Sequence, residues 1–143
     1  MLANKYFDIK ELVSSKCYEQ YGDDSIKFLD PIALEALENV REILGVPLIC
    51  NNWNKGGSRN YSGYREPDCG VGVKNSLHKK GQAFDLISSK MTAKEMREKL
   101  SNNIDKLIHP IRVEKWDNNG EVSWLHIDIG KARDGSKLYF FKA

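Results

Sequence analysis

The apolar positions of this chain follow a helical rhythm through its first part and a strand-like rhythm near its end. Leu34, Leu37, Val40, Ile43 and Leu44 recur at helical spacing, which places them on one face. Asp30 stands before them as an N-cap with Pro31 at the first helical position, and Gly45 ends the run. The spacing therefore predicts a buried helix over Pro31 to Leu44. A second helix is predicted from Thr92 to about Leu107, because Thr92 and Glu95 form a capping box and Met96, Leu100, Ile104 and Leu107 continue on one face. Asp8 to Val13 is weakly helical, and Tyr21 to Ser25 reads as a loop.

Val46 to Trp53 is rich in β-formers after Pro47 and leads into a polar, glycine-containing loop from Asn54 to Gly63. Ala83 to Ile87 reads as a short strand after Gly81. Beyond Pro110, Ile111 to Trp116 and Glu121 to Ile129 are strand-like runs around Asp117-Asn118-Asn119-Gly120, a strong hairpin signal. Strands joined by hairpins rather than by regular crossover helices predict an α+β fold, a small antiparallel sheet with helices packed mainly on one face. No internal repeat, low-complexity tract or linker-like shift interrupts the pattern, so residues 1–143 read as one domain.

Composition narrows the class. The chain has 143 residues, 22 Lys+Arg against 20 Asp+Glu, and 41% hydrophobic residues. A chain of this length buries roughly 68–70% of its unfolded surface, enough for a core without a staple. A formal net charge of +2 spread along the sequence lacks the basic stripe of a nucleic-acid-binding protein, so that partner is not expected. No apolar run approaches the ~18 residues that cross a bilayer, so no membrane partner is expected either. The start, MLANKYFDIKELV, has no apolar stretch of a signal peptide, which leads to an expectation of cytoplasmic synthesis without an export leader. Cys17, Cys50 and Cys69 are odd in number and widely spaced, with no CxxC pair, and are read as thiols of a reducing compartment. They also exclude a zinc ribbon or finger, so any metal must be held by His and carboxylates.

Two segments carry the candidate chemistry. Ser76-Leu77-His78-Lys79-Lys80-Gly81-Gln82-Ala83-Phe84-Asp85 contains a histidine and an aspartate separated by a glycine that lets the chain turn and a small residue that leaves room. Trp124-Leu125-His126-Ile127-Asp128 sets a histidine within an apolar strand, where an imidazole needs a reason. Two His and one carboxylate with an open fourth position are the pattern of a catalytic zinc site. The ordinary alternative stands beside it on spacing alone, with the strand His as a hydrogen-bonded core residue and the Asp as a loop cap. His109, just before Pro110, reads as a boundary residue with no role.

The string SLHKKGQAFD is similar to the SxHxxGxAxD motif of the zinc D-Ala-D-Ala carboxypeptidases and related peptidoglycan peptidases of peptidase family M15. WLHID resembles the second motif of that group, and Ser62-Gly63-Tyr64-Arg65 resembles its SGYR element. The three occur in the group's order over roughly Val46 to Ile129, in a layout like that of short bacteriophage proteins of the family. The resemblance implies a fold related to the hedgehog signalling domain. It implies His78, Asp85 and His126 as ligands of Zn2+, and Arg65 as the residue that binds a substrate carbonyl or carboxylate. It also implies hydrolysis of peptidoglycan stem peptides, either as a D-Ala-D-Ala carboxypeptidase or as an endolysin-type endopeptidase. With no signal peptide, the expectation is a monomeric phage-type lysin that reaches the cell wall after holin-type release or lysis.

The chain departs from that group at Ser123, where many members carry an acidic residue three positions before the last zinc histidine; serine cannot serve as the base. Two glutamates are candidates for that role. If the hairpin pairs Trp116 with Glu121, Glu114 falls opposite Ser123 and could supply the carboxylate from the neighbouring strand. Glu121, five residues before His126, is the other. Strict alternation points both away from the face of His126, so a bulge or strand end is needed to bring either in. If neither comes in, the alternative is a non-catalytic zinc-binding structural or interaction module. Asp128 is read as a second acceptor that orients a ligand ring or as part of a polar rim. Trp53, Tyr61 and Tyr64 are candidates to line a groove, with core packing favoured for Trp53. Lys79 and Lys80 could meet an anionic wall polymer, or form a solvated turn.

Overall fold

The computed structural model describes residues 1–143. Three helices, α1 (Ser15–Tyr21), α2 (Pro31–Leu44) and α3 (Ala93–Ser101), accompany four strands, β1 (Ala83–Leu86), β2 (Ile111–Asp117), β3 (Gly120–Asp128) and β4 (Leu138–Lys142). The fold is α+β, as the pattern of periodicities predicts. None of the helices is long and apolar enough to cross a membrane.

The best-specified element is α2. Asp30 accepts from the backbone N–H groups of Ile32 and Ala33, and Gly45 closes the helix with φ +70°. Its inward face buries Ala33, Leu34, Ala36, Leu37, Val40 and Leu44, each full-sized side chain stabilising by roughly 1.5–3 kcal/mol on burial. The second predicted helix is shorter than its apolar spacing suggests. The Thr92–Glu95 capping box is present, but α3 ends at Ser101, and Ile104–Lys106 form a separate 3-10 turn. The Asn103 side-chain amide donates to the Lys99 carbonyl at 2.8 Å, taking up an orphaned helical acceptor. The weakly helical Asp8–Val13 stretch makes one 3-10 turn, Ile9–Glu11, and α1 follows it behind the Ser14 N-cap. The Tyr21–Ser25 loop falls largely in another 3-10 turn, Gly22–Phe28. Val46–Trp53 does not form a strand; only Ile49 bridges to Ile87.

The strands form one sheet in the order β1-β3-β2-β4. β3 is antiparallel to both β1 and β2, but β4 runs parallel to β2, so the sheet is mixed rather than purely antiparallel. The connection after β3 passes β2 and returns on its far side, which makes β4 antiparallel to β3 with β2 between them. Alternation then sorts the side chains. Phe84, Leu86, Ile111, Val113, Leu125 and Ile127 point into a core of 26 buried residues shared with α2 and α3. Their neighbours Asp85, Arg112, Glu114, His126 and Asp128 line a cleft on the opposite face. Cys17, Cys50 and Cys69 are free thiols.

Candidate metal centre

Local backbone chemistry brings His78 to the sheet. Leu77–Lys80 form a 3-10 turn whose cap, Ser76, accepts from the His78 backbone N–H at 3.2 Å. The turn ends at Gly81 with φ +67°, where a Cβ would overlap the carbonyl of Phe28. Only glycine combines that left-handed backbone with so close an approach. Asp85 follows in β1, directly across from His126 on β3. Directly opposed residues of an antiparallel pair share a face, so the ladder itself sets these two side chains together. Donor atoms of His78, Asp85 and His126 all lie within 4.8 Å of one another, a cluster that could hold a metal ion.

The hydrogen bonds behind the cluster leave its inner atoms free to ligate. The Gly63 carbonyl lies 3.0 Å from Nδ1 of His78 and can only accept, so Nδ1 carries the proton there. Nε2 keeps its lone pair, 3.4 Å from Asp85 Oδ2. Gly63 is itself pinned, since a Cβ on it would overlap the Leu12 carbonyl. His126 places Nδ1 2.8 Å from Asp85 Oδ1 and Nε2 2.8 Å from Asp128 Oδ2. Asp128 is 2% exposed and receives Nε and Nη2 of Arg112 at 2.7 and 2.9 Å. A carboxylate behind the far nitrogen is what orients a ligating histidine and makes its other nitrogen more basic. The donor set of two imidazoles and one carboxylate fits zinc and other first-row divalent cations.

Electrostatics of the metal-free cluster match this arrangement. Burial opposes ionisation of Asp85, but the hydrogen bond from His126 and the attraction of that imidazole prevail and hold its carboxyl well below the usual carboxylate range. Burial also disfavours the His126 cation, yet Asp128 and Asp85 raise its pKa to about 9. Burial shifts Glu114 upward, against the attraction of His126. The cluster thus holds a proton in the place where a cation would sit.

Arg65 reaches the cluster: its Nη2 is 3.4 Å from Asp85 Oδ2, and its Nε donates to the Tyr61 carbonyl at 2.6 Å. Glu114 is paired directly across from His126 and lines the same cleft of about 460 Å³. The structure does not bring Glu121 there. It stays at the turn end of β3, opposite Trp116, and lines a separate groove with Lys94 and Arg97. The expected pairing of Glu114 with Ser123 is also replaced, because β3 bulges between these positions. Trp53, Tyr61 and Tyr64 do not line the cleft. Trp53 donates its indole N–H to the Val13 carbonyl at 2.9 Å, and Tyr64 is buried and stacked on Phe28. Lys79 is half-buried and Lys80 exposed, and neither lines the cleft. His109 lies 3.3 Å from Glu35, outside the cleft.

The sequence assigns no role to several residues that shape the cleft, among them Arg112, Phe141 and Trp124. Arg112 fastens Asp128, Phe141 sets its ring edge-on to His126 at 5.6 Å, and Trp124 supplies a second aromatic wall. Arg112 stands two residues before Glu114 and shares its face, but its place across from Asp128 depends on the same register shift, which alternation alone does not supply. Phe141 belongs to β4, which no hairpin signal marks. No family model, curated protein or solved structure matches this chain.

Proposed function

We propose that the chain is a zinc-dependent peptidase of peptidoglycan stem peptides, cutting a terminal D-Ala-D-Ala bond or an internal bond such as L-alanyl-D-glutamate. The observation that carries this reading is Glu114: a carboxylate faces a three-donor cluster from the neighbouring strand, in an open cleft. The three stretches that resemble the peptidoglycan peptidases supply Arg65, His78, Asp85 and His126 to that same cleft. Zinc held by His78, Asp85 and His126 would polarise a scissile carbonyl and make water more acidic.

The chain's own groups then have definite tasks. Gly63 and Asp128 orient the two imidazoles through the nitrogens that do not face the cluster. Glu114, moved by burial toward neutral pH, takes the proton of the attacking water and passes it to the leaving amine. Arg65, tethered through Nε, keeps its Nη groups turned to the cleft, where a planar cation suits a developing oxyanion or a peptide carboxylate. Trp124 and Phe141 are walls against which a peptide can pack.

Purified peptidoglycan incubated with zinc-loaded protein is expected to release new amino groups, to stop releasing them with a chelator and to resume when zinc is restored. Glu114→Gln is expected to bind zinc at unchanged stoichiometry and release amino groups about 10²–10⁴-fold more slowly. Intact wall in the presence of fully zinc-loaded wild-type protein overturns the peptidase reading and leaves a zinc-binding module.

A further inference from the structure

The hairpin of β2 and β3 holds two incompatible registers. At its tip, the Asn118-Asn119 turn pairs Asp117 with Gly120 and Trp116 with Glu121. At its base, Glu114 pairs with His126, and β1 fixes the same stretch from the other side through Asp85 with His126 and Leu86 with Leu125. Between the two, Lys115 on β2 faces the whole stretch Val122 to Leu125 on β3. That bulge stores three extra residues. Because three is odd, it also turns Glu114 from the side the tip register would give it to the side of His126.

The stored residues lie beyond the end of β1, so their carbonyls lack partners on that side. Arg97 of α3 supplies them. Its Nη2 donates to the Val122 carbonyl at 3.1 Å and its Nη1 to the Trp124 carbonyl at 3.3 Å. The residue is 3% exposed, its Nε has no partner, and Glu121 and Glu114 act on it without forming an ion pair. A buried cation without a carboxylate partner is costly, and here its hydrogen bonds go to the backbone where the registers conflict. The geometry points to Arg97 as a positioning residue: by bridging the Val122 and Trp124 carbonyls it holds the bulge that keeps Glu114 across from His126. Its effect on hydrolysis rests on the peptidase reading, whereas its effect on strand register does not.

The test uses nuclear magnetic resonance of the full chain with zinc bound. In the wild type, the Arg97 guanidinium protons are expected to exchange slowly, and backbone protons of Glu114 and His126 to show a cross-strand contact. Arg97→Met is expected to keep zinc stoichiometry and the Trp116–Glu121 contact while losing the Glu114–His126 contact. Its kcat for wall hydrolysis should fall at least tenfold with little change in KM. Arg97→Lys, which keeps the charge but cannot fork between two carbonyls, should show the same loss to a smaller extent. A Glu114–His126 contact that survives in Arg97→Met overturns the proposal. If that variant does not fold, full activity in Arg97→Lys or fast guanidinium exchange in the wild type overturns it. A wild type that leaves the wall intact removes the peptidase reading, and the contact measurement still decides the role of Arg97.

Discussion

Glu114 and His126 face each other directly across β2 and β3, although the turn joining these strands sets a register in which they would lie on opposite faces. An uninterrupted ladder from Trp116–Glu121 would pair Glu114 with Ser123 and send its carboxylate to the other side of the sheet. The bulge shifts the register by an odd number of residues, so Glu114 shares the face of His126.

This relationship separates the two glutamates experimentally. Glu114→Gln removes a proton carrier while keeping the shape of the cleft, and kcat for wall hydrolysis is expected to fall by about 10²–10⁴-fold. Glu121→Gln, in a groove lined by α3 residues, is expected to stay within about twofold of wild type. Initial rates of amino-group release at matched zinc occupancy check both, and equal losses would show that neither glutamate acts from the cleft.

Proton linkage should be visible in metal binding. The folded-state pKa of His126, about 9, lies above its ordinary value of 6.5. Its contribution to the stability of the metal-free protein is therefore complete below about pH 6.5 and lost as pH rises through about 9. Asp85 and Asp128 are shifted downward, so their contributions are present above the usual carboxylate range and lost as pH falls through the lowered values. The metal-free protein should be most stable between these limits. A cation must displace the His126 proton, so zinc uptake near pH 7.5 is expected to release about one proton, with affinity rising about tenfold per pH unit until about pH 9. Calorimetric titration in buffers of different ionisation enthalpy measures the number released.

Local signals made part of this molecule legible. Asp30, Pro31 and Gly45 bound α2 because capping depends on adjacent residues, and the Asp117–Gly120 turn marks its hairpin for the same reason. The stretches around His78, Asp85 and His126 were marked by polar residues where an apolar pattern or a tight turn made them conspicuous. The position of Glu114 was not legible, because register is a compromise between a turn, a third strand and an arginine from a distant helix. β4 was hidden for a related reason: Leu138–Lys142 has neither strict alternation nor a hairpin turn, and pairs with β2 only after the chain has passed over it.

Gly81 allows strain and steric overlap to be told apart. Gly81→Ala places a side chain at φ +67° and against the Phe28 carbonyl, so a loss of about 2–4 kcal/mol is expected in urea unfolding. Gly45→Ala meets a similar φ of +70° with nothing within 4 Å, and should cost only about 1 kcal/mol. Zinc affinity should fall in the first variant, whose turn carries His78, and remain in the second. Equal stability losses would mean that the Phe28 contact relaxes freely.

The connection from Arg112 through Asp128 to His126 should be tested by removing charge without removing volume. Asp128 accepts from His126 and Arg112 Nη2 through Oδ2, and from Arg112 Nε and the Gly130 N–H through Oδ1. Asp128→Asn leaves one acceptor oxygen where two are needed. If the amide nitrogen takes the place of Oδ1, it meets Arg112 Nε and the Gly130 N–H, donor against donor. If it takes the place of Oδ2, it meets the Arg112 Nη2 donor, and His126 Nε2 must present a lone pair while the proton moves to Nδ1, the atom that faces Asp85. Either orientation works against ligation by His126, so zinc affinity measured against a competing chelator is expected to fall by about 10–100-fold. Arg112→Lys leaves both oxygens of Asp128 in place and should cost less. Unchanged affinity in Asp128→Asn would reduce Asp128 to a polar wall of the cleft, with His126 held by Asp85 and the strand pairing alone.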